Sequence, residues 1–116
     1  MLNRVIVAGS RNINDYDFVV NAIKSFNVKI DELVCGMAKG PDMLAHRWAK
    51  ENNIKITEFY PDWDKHGKAA GIIRNREMMK YADALLAIWD GKSRGTDNMV
   101  YQMNHAKKYV SVVIYT

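Results

Sequence analysis

"RVIVAGSRN", residues 4–12, decides the fold. Its first five residues are rich in β-branched side chains, with no alternating polar position. Such a run reads as a strand buried on both faces, and Gly9 marks where it stops. The same punctuation recurs along the chain. "ELVC" (32–35) stops at Gly36, "KITEFY" (55–60) at Pro61 and "ALLAIW" (84–89) before Asp90 and Gly91, while "YVSVVIY" (109–115) comes last. Between these runs lie segments with helical periodicity. Asp15 can cap a helix reaching about Phe26, with Phe18, Val19, Ala22, Ile23 and Phe26 on one face. Pro41 suits the first turn of a second helix that carries Leu44, Ala45, Trp48 and Ala49 inward. A third helix is predicted over 70–82, after a long loop, and a fourth from Thr96 to about Lys108.

Strand and helix alternate four times before a closing strand. That order predicts an α/β, three-layer Rossmann-like fold with a five-stranded, mainly parallel sheet and helices on both faces. In open sheets of this kind ligands bind outside the carboxyl ends of the strands. The loops that should meet there are 9–14, 36–40, 61–70 and 90–95.

The 116 residues suit one domain, 1–116, and 48% hydrophobic content is that of a globular chain. No apolar stretch is long enough to span a membrane, and "MLNRVIVAGS" is no signal peptide. The lone Cys35 offers no disulfide framework, so a cytoplasmic protein is expected. Seventeen lysines and arginines against thirteen acids give a net charge of +4, which favours anionic ligands without choosing among them.

Three of the four loops combine glycine with cations. In the first, Gly9 lets the backbone turn, Ser10 offers a hydroxyl and Arg11 a forked donor. In the second, "CGMAKGPD" (35–42), Gly36 and Gly40 bracket a turn holding Lys39, and free amides at the next helix start can take an anion. In the last, "DGKSRGT" (90–96), Arg94, Gly95 and Thr96 stand together, with Thr96 as cap or phosphate ligand. None is a standard fingerprint. "GKS" lacks the earlier glycine of a P-loop, because position 86 is leucine, and no GxGxxG follows the first strand. The third loop differs: it is long, polar and centred on Trp63, which could stack on a base or pack over the sheet edge. Arg74 and Asn75 begin the helix after it, close enough to face a ligand. Arg76 and Glu77 should face solvent.

Other chemistry has little support. Asp62, Asp64 and His66 are a poor metal set with one histidine, so no metal or cofactor is expected. No histidine is placed by sequence to activate Ser10, and Cys35 reads as a small buried residue. His46 and His105 fall on helices, where they should lie on the surface.

"GSR", "CGMAKGPDMLA", "FYPDWDKHGKAAGIIRNREMM" and "GTDNM", in series, resemble the YspA-like branch of the SLOG superfamily. That superfamily is related to the LOG phosphoribohydrolases and to the DprA Rossmann-like domain. The resemblance covers nearly the whole chain. It implies a nucleotide-binding sheet whose pocket is lined by Gly9, Ser10, Arg11, Gly36, Gly40, Arg74, Asn75, Gly95 and Thr96. It also implies phage or conflict-related settings for some members and dimers in the enzyme branch; the seven methionines could equally pack a core or a dimer face. LOG enzymes carry GGxGTxxE, with a catalytic glutamate. Aligning Gly95 and Thr96 with its GT puts Met99 at that glutamate. A thioether cannot do a carboxylate's work, and Asp97 or Asp90 would have to approach from another direction. Met99, Met103 and Ala106 share helical spacing, which points Met99 into the core.

Three functions follow, in order. The first is a module that binds a nucleotide or nucleotide-derived phosphorylated small molecule, as a sensor or sequestering protein. The second is an N-glycosidic hydrolase of the LOG kind, with no catalytic residue identified. The third is DprA-like nucleic-acid binding, against which stands the lack of interleaved aromatic and basic residues.

Overall fold

A computed structural model describes residues 2–116. The strands are β1 (Arg4–Gly9), β2 (Glu32–Cys35), β3 (Lys55–Glu58), β4 (Ala84–Trp89) and β5 (Tyr109–Ile114). The helices are α1 (Tyr16–Ser25), α2 (Pro41–Glu51), α3 (Trp63–His66), α4 (Ala70–Tyr81) and α5 (Arg94–His105). The sheet order is β3-β2-β1-β4-β5 and every pairing is parallel. The predicted α/β Rossmann-like sheet is therefore the observed one.

β1 runs down the middle, with Val5 opposite Leu33 on one side and Ala84 on the other. Successive side chains go to opposite faces. Val5, Val7, Leu33, Leu86 and Ile88 meet Val19, Ile23, Ala45 and Ala49 of α1 and α2. Ile6, Val34, Leu85 and Ala87 meet Met78 of α4 and Met99 and Met103 of α5. Both helical faces read from periodicity are thus buried as expected. The chain leaves β1 for β2 on one side and returns through β4 on the other. Strand order therefore reverses between β1 and β4, and a crevice must open outside their carboxyl ends.

Several local expectations need correction. The long third loop holds a one-turn helix, α3, because the Asp62 carboxylate accepts the Lys65 N–H at 3.1 Å, and a 3₁₀ turn follows over Gly67–Ala69. α5 does not open at Thr96. Asp90 Oδ1 accepts the backbone N–H groups of Lys92 and Ser93, both at 2.8 Å, which turns the chain two residues earlier. Ser93 then caps the helix, and Thr96 lies within its first turn. His46 is not a free surface residue: its Nε2 lies 2.8 Å from Glu58 at the end of β3. One capping device carries no local sequence signal. Lys108 Nζ donates to the carbonyls of Met79 at 2.6 Å and Ala82 at 2.7 Å, closing the end of α4 from the start of β5. No helix among the described residues is long and apolar enough to cross a membrane.

Candidate functional site

The crevice at the β1/β4 reversal holds three adjoining hollows that share Arg11 and Arg74. The innermost, about 90 Å³, lies between Gly9, Asp42, Arg74, Gly95, Thr96 and Met99. A second, about 350 Å³, opens between Met37, Lys39, Pro61 and Trp63. A third, about 210 Å³, lies between Trp63, Lys68, Gly71, Arg94, Gly95 and Asn98. Trp63 separates the outer two and is half exposed. Its place between them comes from α3.

Arg74 is the hub. It sits on the first turns of α4 and is partly buried. Its Nη1 donates to the Gly36 carbonyl at 2.5 Å and its Nε to Asn75 Oδ1 at 3.2 Å. These two bonds fix the guanidinium plane, and Nη2 has no partner among the described residues. Burial pulls its pKa below the usual arginine value, against the pull of Asp42 the other way.

Asp42, the second residue of α2, is the one carboxylate lining any of the three hollows among the described residues. It is 4% exposed. Its Oδ2 accepts the Ala38 N–H at 3.4 Å. Burial pushes its pKa up to about 6, with Arg74 and backbone N–H groups opposing the rise. Cys35 beneath it is buried as expected: its thiol donates to the Asp42 carbonyl at 3.4 Å, and desolvation lifts its pKa to about 12.

The sequence-predicted residues divide into those that face the hollows and those that build them. Gly9, Arg11, Lys39, Trp63, Arg74, Arg94, Gly95 and Thr96 line one or more. Asn75 does too, but its Nδ2 donates to the Gly95 carbonyl at 3.3 Å and to Asn98 Oδ1 at 3.1 Å, so its amide holds the start of α5 against α4. Ser10 is fully buried off the linings. Its hydroxyl accepts the Asp90 N–H at 3.0 Å and ties the β1 loop to the β4 loop. Gly36 and Gly40 also stand behind the surface. A side chain on Gly36 would come within 2.9 Å of Asp42, and Gly40 has φ +86° with Ser10 O 2.7 Å from its missing Cβ.

Met99 is 1% exposed, and it both joins the apolar core and floors the inner cavity. The two acids named in place of that glutamate lie elsewhere. Asp97 is exposed and outside the linings, and Asp90 commits its carboxylate to Lys92 and Ser93, which lowers its pKa. Asp42, Ser93, Lys68, Gly71 and Asn98 were not singled out from sequence. Asp42 follows Gly-Pro at a helix start, where an acid commonly serves the helix alone, and that ordinary role masked it.

These features define a Rossmann-like α/β protein with a cation-rimmed crevice at its topological switch point. Residues 3–66 match the YspA, cpYpsA-related SLOG family, and the chain belongs to that family. It is 35% identical over 120 residues to the Gene 61 protein of Mycobacterium phage D29, a match covering 90% of this chain and 91% of that one. Its fold matches the X-ray structure of DNA processing protein A (DprA) from Streptococcus pneumoniae with a TM-score of 0.80 at 18% identity. That match takes in 99% of this chain and spans about half, 51%, of the DprA chain.

Proposed function

We propose that the protein binds a nucleotide or nucleotide-derived phosphorylated small molecule at the carboxyl edge of its sheet, as a sensing or sequestering module. The observation that carries this reading is the pairing of Arg11 and Arg74 at one crevice beside the first turn of α5. Neither arginine has a carboxylate within ion-pair distance among the described residues. Unpaired cations around a concave site favour an anion, and the fork of arginine matches phosphate. A phosphate fits the scale of the inner cavity, where the Gly95 N–H and the Thr96 hydroxyl would meet it, and the raised pKa of Asp42 lets that carboxyl take up a proton beside the anion. The 350 Å³ chamber is in the range of small-molecule sites, and Met37, Pro61 and Trp63 offer a base an apolar and stacking surface there.

Thermal-shift and calorimetric titration with adenosine monophosphate, guanosine monophosphate and other phosphorylated ligands test the reading. A ligand at ~100 times its Kd adds about 2.7 kcal/mol of stability. Arg74→Gln should weaken binding about tenfold or more. No shift with any phosphorylated ligand, or binding indifferent to Arg74→Gln, refutes the proposal. Tighter binding of a single-stranded oligonucleotide, lost steeply with salt, would favour the nucleic-acid reading instead.

A hydrolase reading of the same site rests on Asp42. N-glycosidic cleavage calls for a carboxylate near the sugar, and Asp42 alone of the described carboxylates reaches the cavity. Release of free base from a nucleoside monophosphate, abolished by Asp42→Asn while binding survives, would support it. No released base after prolonged incubation excludes it for that substrate.

A further inference from the structure

The seven glycines have different reasons to be glycine. Gly40, Gly67 and Gly91 have positive φ. At Gly9 and Gly36 a Cβ would meet other atoms within 3.0 Å. Gly71 and Gly95 have neither reason. A Cβ on Gly71 would meet nothing nearer than Arg74 Nη2 at 3.9 Å, and one on Gly95 would meet nothing within 4 Å. Both lie in the first turn of a helix, α4 and α5, where alanine is the better helix former. Both open onto the 210 Å³ chamber. The protein's own packing does not require them, so the space they leave is open to something else.

The chamber's charge says what. Arg11, Lys68, Arg74 and Arg94 line it and no carboxylate does. None of the four is in an ion pair among the described residues. Arg94 stands at the first position of α5, where the helix's positive end disfavours a cation. A bound anion removes that conflict. The chamber also shares Arg74, Asn75 and Gly95 with the inner cavity, so two phosphates joined by one bridging oxygen could occupy the two compartments together.

We propose that the chamber between Gly71 and Gly95 is a second phosphate subsite, and that the ligand is a nucleoside diphosphate or a diphosphate-linked derivative rather than a monophosphate. This rests on the nucleotide reading above and narrows it. Backbone at Gly71 and Gly95 lets the second phosphate approach closely, and Lys68 and Arg94 balance its charge.

Calorimetric titration of the full chain with adenosine monophosphate, adenosine diphosphate and ADP-ribose tests it. The two diphosphates should bind about tenfold more tightly than the monophosphate. The contrast between them tells a terminal diphosphate from a bridging one. Gly71→Leu puts a side chain into the chamber and Lys68→Gln removes one of its four cations. Gly71→Leu should erase the diphosphate advantage and Lys68→Gln should diminish it, and both should leave monophosphate binding unchanged. Lys68→Gln carries the test if Gly71→Leu does not fold, as its thermal midpoint would show. Monophosphate binding as tight as diphosphate binding, or an advantage undiminished in both variants, overturns the subsite and leaves the nucleotide reading standing. Failure of all three ligands to bind overturns both.

Discussion

The crevice has two walls, and their glycines behave in opposite ways. On the wall built by the β1 and β2 loops the protein presses on itself: the missing Cβ of Gly9 lies 2.2 Å from the Ile88 carbonyl and 2.5 Å from the Pro41 ring. On the wall built by the starts of α4 and α5, Gly71 and Gly95 face open space. In the sequence, "AGSR" and "SRGT" look alike. The first glycine is set by packing, which is a matter of stability. The second is free of packing. The first wall is also fastened across the sheet by the Ser10 hydroxyl, and it holds the buried acid. The second carries Lys68 and Arg94, both free of ion pairs among the described residues.

The largest effect should come from breaking the packed wall. Gly9→Ala puts a methyl group into a backbone oxygen and a proline ring, and neither is a flexible side-chain end that can swing aside. β1 and β4 must part at the point where they are paired. A loss of more than about 3 kcal/mol is expected in urea unfolding. An alanine variant as stable as the parent would mean that this wall yields easily, and the contrast with Gly71 and Gly95 would dissolve.

Asp42 sharpens the same wall through pH. An aspartate ordinarily titrates near 3.8, and burial raises Asp42 to about 6 in the folded protein. The folded state therefore holds its proton more tightly than the unfolded chain does. Its contribution to stability is fully present below about pH 4 and is lost as pH rises through about 6. A rise of that size is worth about 3 kcal/mol. Asp42→Asn should remove that decline, so the variant gains on the parent between pH 4 and 7 in a series of urea titrations. Parallel stability curves for the two proteins would show that Arg74 and the surrounding N–H groups hold the carboxylate charged.

Between the walls, Asn75 joins α4 to α5. Asn75→Ala removes the Nδ2 donor that the Gly95 carbonyl and Asn98 Oδ1 share, and it leaves the part-buried Arg74 Nε without its acceptor. Leaving buried polar groups unpaired costs about 2 kcal/mol. A loss of that size in chemical unfolding without ligand identifies Asn75 as a positioning residue. A stability change near zero would release its amide for the ligand.

The strands were legible because burial on both faces writes itself as unbroken apolar runs, as in "RVIVA" and "ALLAIW". The Asp15 cap and the inward faces of α1 and α2 were legible because capping and helical period are local. The start of α5 was not. It depends on Asp90 turning the chain toward Ser93, a bond between loop residues that competes with the equally plausible cap Thr96. The cations of the site were visible as residue types in glycine loops, yet their sorting was not. Ser10 reads as a ligand until the β4 loop arrives from eighty residues away to take its hydroxyl. Gly71 and Lys68 belong to a chamber closed by α5, more than twenty residues on, so nothing near them in the chain marks them. Asp42 was hidden by the ordinary role of acids at helix starts.

The smallest effect is the one that separates the walls most cleanly. Gly95→Ala adds a Cβ that meets no atom within 4 Å, at a helical position where alanine loses less conformational entropy on folding than glycine. Stability should therefore rise slightly, by about 0.5 kcal/mol in urea unfolding. The same methyl group projects into the proposed second phosphate subsite, so on that proposal affinity for a diphosphate should fall in titration of the same sample. Gain of stability with loss of binding is a combination that a packing role cannot produce, because a glycine needed by packing loses both together. A destabilised Gly95→Ala would move Gly95 to the packed wall beside Gly9 and leave Gly71 as the open glycine of the pair.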